Sequence, residues 1–466
     1  MSRYTRVICN SKVSIVYFTF TQKNIDRYTK PTYRNKTTNK TEYSQYILIT
    51  SRPEIKALLQ KTPQCVYAGF DPTAESLHVG NLLVLMNLLR WQRHGHQVII
   101  LLGGATGLIG DPSHRKSERV QLEGLLIREN LMSILGNIET IFGNHKKFLS
   151  KPKHQLKQPI IVNNIEWYKD MNVIPFIRDI GKYFRMGTML GRSSVQSRLK
   201  SDSGMSFTEF TYAVFQAYDW LELFNKYNCR FQIGGNDQMG NIVSGYDLIT
   251  RKTNKKVYGM TLPLITAEGG KKFGKSLGNA VWLSPSKSSS FQFYQFFVRS
   301  KDSDVEKYLK YFTFFSSQKI SEIIAEHFRA PERRFAQKTL AEQVTLLVHG
   351  EEGLEKAKEV STTLYEGSVE SLSKLSADEL ITVFEGAVIS ELICEPGITV
   401  RELAMKAKCF KTTNDATRII NAGGFHINHQ KITNTQEVIV PGIHILANDV
   451  TLIRVGKKTY HIVRWM

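Results

Sequence analysis

Cysteine is scarce: the 466 residues hold five, at Cys9, Cys65, Cys229, Cys394 and Cys409, and no two form a C-x-x-C pair. This scatter excludes a disulfide framework of the secreted kind, points to a reducing compartment and leaves no protein-bound zinc expected. Long apolar runs are missing as well. The longest mostly apolar stretch, Val98 to Gly110, is broken by Thr106 and four glycines. It falls far short of the ~20 residues that cross a bilayer, so no transmembrane helix and no membrane partner are expected. Acidic residues are outnumbered, 42 against 62 Lys and Arg, for a formal charge of +20. Such a surplus favours polyanions, nucleic acid first among them, through counterion release. Internal repeats are absent, and the one biased run is the serine-rich linker from Ser284 to Ser290.

The composition is otherwise that of a folding chain, 42% hydrophobic and 22% charged. Its length suggests two or three domains at ~150 residues each. The first forty residues stand apart, with nine basic residues against the single acid Asp26, so they carry +8 of the total. Basic, acid-poor and rich in hydroxyls, with a short apolar patch from Val13 to Phe20, they read as a transit segment for import into the mitochondrial matrix. A disordered RNA-touching arm and a secretory signal are the alternatives.

From there the pattern is that of an α/β protein with a parallel sheet. Cys65 to Phe70 is an apolar run fit for a buried strand, Asp71-Pro72-Thr73 a turn, and Leu82 to Trp91 a helix entered through Leu77-His78-Val79-Gly80-Asn81. Val98 to Leu102 is a second strand, opening into the glycine-bearing loop Gly103 to Gly107. Two strands that end in polar, glycine-bearing loops place a ligand site at their carboxyl ends. His78 and Asn81, three apart at a helix start, can face one phosphate-bearing ligand, with Gly80 permitting close approach. A loop at Gly269-Gly270-Lys271-Lys272-Phe273-Gly274-Lys275-Ser276 sets lysines three apart among glycines, suited to closing over a triphosphate. Read alone, either string is an ordinary cap or a solvated loop. Further on, Phe207 to Tyr227 is helical, with apolar residues at 207, 210, 214, 215, 218, 221 and 224 forming its buried face. Tyr212, Gln216 and Asp219 follow at i, i+4 and i+7, so one side of a greasy helix carries three polar groups that each require a partner.

At this point the residues resemble a family. H-V-G-N (78 to 81) and K-F-G-K-S (272 to 276) are similar to the two nucleotide motifs of class I aminoacyl-tRNA synthetases. Y-A-G-F-D-P-T-A-E-S-L-H-V-G-N (67 to 81), G-G-A-T-G-L-I-G-D-P-S (103 to 113), S-F-T-E-F-T-Y (206 to 212), Q-A-Y-D (216 to 219) and G-G-N-D-Q-M-G-N (234 to 241) narrow the likeness to tyrosine–tRNA ligases of the bacterial and mitochondrial type. The resemblance covers about Tyr43 to the C-terminus. It implies a Rossmann-like catalytic domain over 44–283, a helical anticodon-binding domain over 291–365 and a small α+β RNA-binding domain over 395–466, after a transit segment at 1–43. It also implies ATP with magnesium as substrate, L-tyrosine and tRNA(Tyr) as partners, and a homodimer.

By the same resemblance, Tyr67 and Asp219 face the substrate's phenol, and Asp111, Tyr212 and Gln216 hold its ammonium group. His78 meets the ATP phosphates, with Asp71 and Asn81 near the nucleotide, Gly235 and Asp237 at the ribose, Gln238 by the reacting carboxyl, and Leu264 and Ile265 beside adenine. Thr73, Lys272 and Lys275 serve the departing pyrophosphate, and Arg115, Lys116 and Arg119 are candidates for further phosphate contacts. A pocket that hydrogen-bonds a phenol rejects phenylalanine because its own polar groups would be stranded; the tyrosine-activating enzyme is itself the standard example of that rule.

Residues 395–466 hold ten Lys and Arg against five acids, and Arg401, Lys411, Arg418, Lys457 and Lys458 are the candidates for tRNA phosphates. The chain departs from the family pattern in places. Asn81 stands for a histidine, with weakened rather than lost nucleotide binding expected; Met239 stands for a tryptophan, His114 for a glycine, and Asn428-His429 for Asn-Gly. Two other readings share the scaffold: a tryptophan-activating enzyme, and an RNA-binding or intron-splicing protein that has lost catalysis.

Overall fold

The computed structural model describes residues 52–113, 122–151, 156–201, 204–263, 280–366, 372–373, 380, 384, 387–456 and 459–466. They divide into two compact units: the described residues up to Lys287 with Ser300–His349, and Ser288–Arg299 with Gly350–Met466.

The first unit is built on a five-stranded sheet in the order β3-β2-β1-β4-β5, every pair parallel. The strands are β1 (Cys65–Phe70), β2 (Gln97–Leu102), β3 (Ile160–Asn163), β4 (Phe231–Gly235) and β5 (Tyr258–Leu262). Helices cover both faces of such a sheet, which is why β1 and β2 read as unbroken apolar runs rather than alternating ones. Val66, Ile99, Ile100, Phe231 and Ile233 are all buried, with Leu82, Leu85, Met86 and Leu88 of the Val79–Arg93 helix against them. The chain runs outward from β1 to β3 and then returns to β4, so the strand order reverses between β1 and β4. In open α/β sheets that reversal opens a crevice at the strands' carboxyl ends.

The Phe207–Tyr227 helix forms as expected, started by Ser206 accepting from the backbone N–H of Glu209 and ended by Asn228 in the left-handed conformation (φ 51°). Its burial is not the one expected. Phe207 is 77% exposed, and the deepest positions are Tyr212, Ala213, Ala217, Asp219, Trp220, Leu221 and Leu223. The polar residues therefore lie on the face turned inward, and most of the large apolar ones are only partly covered. Glu209 is buried too, and Arg198 meets both its oxygens at 3.2 and 2.7 Å while donating to the carbonyl of Gly204. This pair pins the Ser193–Leu199 helix to the start of Phe207–Tyr227. Removing either partner would leave a buried charge uncompensated, at a cost of about 3–5 kcal/mol.

Residues 300–349 add helices at Asp302–Phe312 and Ser317–His327 and the first part of Phe335–Glu366, a run broken at Gly350 (φ 72°). Arg90, on the helix after β1, donates to the carbonyls of Lys310, Tyr311 and Thr313, and Arg93 stacks over Phe314 at 4.5 Å. Tyr311 and Phe312 are buried, so the aromatic cluster there is core.

The second unit carries a mixed sheet in the order β6-β10-β9-β7-β8, from β6 (Val388–Leu392), β7 (Phe425–Ile427), β8 (Gln430–Ile432), β9 (Val450–Val455) and β10 (Thr459–Trp465). Only β6 and β10 pair in parallel. Helices Val400–Lys406 and Thr413–Asn421 close one face over Phe425, Ile427, Ile432, Ile453 and Val463. Asn428 (φ 47°) and His429 (φ 67°) form the two-residue turn from β7 to β8. Both are left-handed, as the right-handed strand twist demands, and Asn-Gly suits such a turn better than Asn-His.

Candidate active site

Strands β1 to β4 are each followed by polar residues at the carboxyl end of the sheet. β1 is followed by Asp71, whose Oδ1 accepts from the hydroxyl of Thr106 at 2.7 Å and whose Oδ2 accepts from the phenol of Tyr212 at 2.8 Å. Gly103 is obligatory beside it, since a Cβ there would strike Asp71 and Thr106. The resemblance assigned Asp71 and Tyr212 to opposite substrates; here they are bonded to one another. Thr73 follows in the same turn, its backbone N–H donating to the carbonyl of Asp71.

The helix after β1 begins with His78 as its cap. Its Nδ1 accepts from the backbone N–H groups of Gly80 and Asn81 at 3.0 and 3.4 Å, and Oδ1 of Asn81 accepts from the backbone N–H of His78 at 3.1 Å. A ring that accepts at Nδ1 carries its proton at Nε2 when neutral, so its outer edge is a donor. Asn81 likewise uses its oxygen internally and keeps its amide NH₂ as the donor end. The glycine at 80 is needed for the histidine rather than for a ligand: a Cβ there would come within 2.8 Å of the imidazole Cε1.

β3 ends in Asn163 and Asn164 and a short helix, Ile165–Tyr168. None of these was singled out from sequence, yet three residues here grip Asp219. The side-chain amide of Asn164 donates to its Oδ2 at 3.1 Å, while the indole of Trp167 and the phenol of Tyr168 donate to Oδ1 at 3.0 and 2.8 Å. Asp219 is 1% exposed. Burial pushes its carboxyl up to about 7 against the pull of those three donors, and the charge of Asp71 adds to the rise. Next to it, Tyr67 is 1% exposed, its phenol raised well above the ordinary value by burial first and the Asp219 charge second.

Among the residues read as substrate-binding, two oxygens break the rule that buried polar atoms find partners. Neither the Tyr67 hydroxyl nor Oε1 of Gln216 makes a hydrogen bond among the described residues. Each stranded group costs ~1–3 kcal/mol, and a polar ligand in the crevice would relieve both.

β4 ends at Gly235 and runs through the tight turn Asn236–Gln238, which holds Asp237. Gln238 donates to Oδ2 of Asp111 at 2.6 Å, and Asn241 donates to Gln238 Oε1 at 3.1 Å. Asp111 also accepts from the backbone N–H of Ser113. The structure thus gathers Asp71, Tyr212 and Asp219 through one network that runs by way of Thr106 and Asn164, sets Tyr67 beside Asp219 without a bond, and joins Asp111 and Gln238 through another. Leu264, Ile265, Lys272 and Lys275 lie outside the described residues, as do Arg115, Lys116, Arg119 and His114 of the other basic loop. In the second unit Lys411 is exposed, Arg401 is half-buried, and Arg418 is exposed and paired with Asp415 at 3.0 Å; Lys457 and Lys458 lie outside the described residues. Among the described residues no three His, Cys, Asp or Glu side chains gather as a metal site, and no helix is long and apolar enough to cross a membrane.

Known proteins resemble the chain over most of its length. The family model for class I tRNA synthetases (W and Y) matches residues 59–366. The mitochondrial tyrosine–tRNA ligase of Drosophila melanogaster is 54% identical over 420 residues, 89% of this chain and 90% of its own length. That of Homo sapiens is 46% identical over 404 residues, 87% and 84% of the two chains. A C-terminally truncated mitochondrial tyrosyl-tRNA synthetase from Aspergillus nidulans superimposes with a TM-score of 0.62 at 34% identity, covering 68% of this chain and 90% of that one.

Proposed function

The chain belongs to the tyrosine–tRNA ligase family of class I tRNA synthetases, and from that premise we propose that it activates L-tyrosine with ATP and transfers the tyrosyl group to tRNA(Tyr) in the mitochondrion. The observation that carries the tyrosine end is the stranded Tyr67 hydroxyl beside the buried Asp219, with the stranded Oε1 of Gln216 one helical turn earlier in the chain. A phenol entering the crevice donates to the Asp219 carboxylate and accepts from the Tyr67 hydroxyl. At the other end an ammonium group meets Gln216 Oε1, Tyr212 and the opposite charge of Asp111, while Asp71, bonded to Tyr212, faces the nucleotide.

Adenylate formation needs no protein nucleophile. The tyrosine carboxylate attacks the α-phosphorus of ATP, a new C–O–P bond forms, and pyrophosphate leaves with the electron pair of the broken P–O bond. A hydroxyl of the tRNA's terminal ribose then attacks the acyl carbon and releases AMP. The protein contributes positioning and donors that tighten as charge builds on the leaving oxygens. The Nε2–H edge of His78 is set for that duty, because the helix start consumes Nδ1. Thr73, Lys272 and Lys275 are assigned to the pyrophosphate, Asn81, Gly235 and Asp237 to the nucleoside, Leu264 and Ile265 to adenine, and Gln238 to the reacting carboxyl. Magnesium enters as part of the ATP substrate.

We further infer a homodimer. Val173, Ile174 and Ile177 are exposed on the short Val173–Asp179 helix, and Met186 and Phe207 are exposed further along the chain; apolar side chains left in solvent support an association face where they adjoin. The basic first forty residues fit delivery to the matrix, where mitochondrial tRNA is charged. Incorporation of labelled pyrophosphate into ATP, tested with each amino acid separately, decides the reading: tyrosine alone should stimulate it. Stimulation by tryptophan, or by none, overturns the proposal.

A further inference from the structure

A short piece of chain beyond the K-F-G-K-S string is joined to the residues around His78. Leu283 N–H donates to the carbonyl of Leu77 at 2.8 Å and Val79 N–H to the carbonyl of Val281 at 3.1 Å, so 281–283 runs antiparallel to 77–79 with Trp282 opposite His78. Two further contacts extend the join. Ser284 N–H donates to Oγ of Ser76 at 3.0 Å, and Lys287 pairs with Glu75 at 2.8 Å.

Bonds that flank an antiparallel pair, rather than link its two members, leave both side chains on one face at the closer of the two spacings. The imidazole of His78 and the indole of Trp282 accordingly lie 6.3 Å apart between centroids, with their planes at 58°, inside the range of favourable aromatic pairs. Alternation along the chain sends the neighbouring side chains the other way. Leu77, Val79 and Leu283 are 4, 2 and 2% exposed, whereas both rings are half-buried. Backbone bonds and buried aliphatic residues therefore hold the join, and it does not depend on the indole.

His78 has a use for such a wall. The helix start holds its ring by one atom, Nδ1, through bonds of 3.0 and 3.4 Å, and the second of these is long. The last torsion of a histidine has a broad minimum, so a ring held at one edge tilts, and Nε2–H at the opposite edge swings furthest. A reacting group misplaced by ~1 Å loses about a hundredfold in rate. We propose that Trp282 is a positioning residue for adenylate formation: its indole walls the His78 ring and fixes the direction of Nε2–H. The inference rests on the reading of the chain as a tyrosine-activating enzyme, and adds to it a residue outside both nucleotide motifs.

The test follows tyrosine-dependent pyrophosphate exchange in the full chain. Trp282→Leu should lower kcat about three- to tenfold, the worth of one aromatic pair. Tyrosine KM should stay within about twofold, because the donor acts as charge builds on the leaving oxygens. Trp282→Phe, which restores a ring, should recover most of the loss. In a His78→Ala background Trp282→Leu should cost nothing further, since a residue that acts through His78 has no effect once the imidazole is gone. A parent-like kcat in Trp282→Leu overturns the proposal, as does a phenylalanine variant no better than the leucine one. Additive losses in the double variant overturn it too, and assign Trp282 to the stability of the join. Where Trp282→Leu fails to fold, Trp282→Met carries the same expectations, because it refills the space without a ring. Failure of the wider functional reading is separately visible: the parent chain would then show no exchange with tyrosine.

Discussion

The phenol of Tyr212 donates to Oδ2 of Asp71 over 2.8 Å, across 141 positions of sequence, and so ties the long central helix to the loop that leaves β1. One bond thereby connects a residue read as holding tyrosine with a residue read as facing the nucleotide. Tyr212→Phe removes a hydrogen bond to a charged group, worth ~1.5–3 kcal/mol. We expect tyrosine KM in pyrophosphate exchange to rise roughly ten- to a hundredfold on that scale, with a smaller rise in ATP KM because Asp71 keeps Thr106. An unchanged tyrosine KM would separate Tyr212 from the substrate.

Asp219 gives a pH signature. Its folded value, about 7, lies above the ordinary 3.8, so between those values the folded chain holds a proton that the unfolded chain releases. The stability it contributes is complete below 3.8 and is lost as pH rises through about 7. Thermal melting of the ligand-free protein should therefore show a decline over that window that Asp219→Asn abolishes. A matching decline in the Asn variant would assign the dependence to other groups.

Phe207 stands in solvent at the first position of its helix. Phe207→Asp should leave the melting of the catalytic unit nearly unchanged while shifting the sedimentation coefficient from dimer towards monomer. A variant that sediments like the parent would remove this residue from the association face.

The turn at Asn428-His429 offers a stability gain. Left-handed backbone costs an ordinary side chain ~1–2 kcal/mol, and glycine gives back ~0.4–1 kcal/mol through its freer unfolded chain. His429→Gly should stabilise the second unit by about 0.5–1 kcal/mol in urea titration. Asn428 should not tolerate the same change, since its side chain bonds the carbonyls of Ile443 and His444 and the N–H of Leu452.

Strands β1 and β2 and the helix between them were legible because both faces of a parallel sheet are buried, which leaves unbroken apolar runs. β3 has four residues and β4 ends in glycines, so neither leaves a run long enough to read. The family-like strings named Tyr67, Asp71 and Asp219, but not what restrains them. Asn164, Trp167 and Tyr168 sit 51 to 55 positions from Asp219, and no local period announces a contact made only when the chain returns. The burial of the Phe207–Tyr227 helix was misjudged for a related reason: counting apolar residues finds a greasy face, while Asp219 and Tyr212 are buried by partners that satisfy them.

The grip on Asp219 comes from one short piece of chain at the sheet's edge, and Ile161 and Ile165, exposed apolar neighbours of that piece, flank Asn164. A shift of that edge strand and its short helix moves all three donors together, so the buried carboxylate is aimed from the rim of the sheet rather than from its own helix.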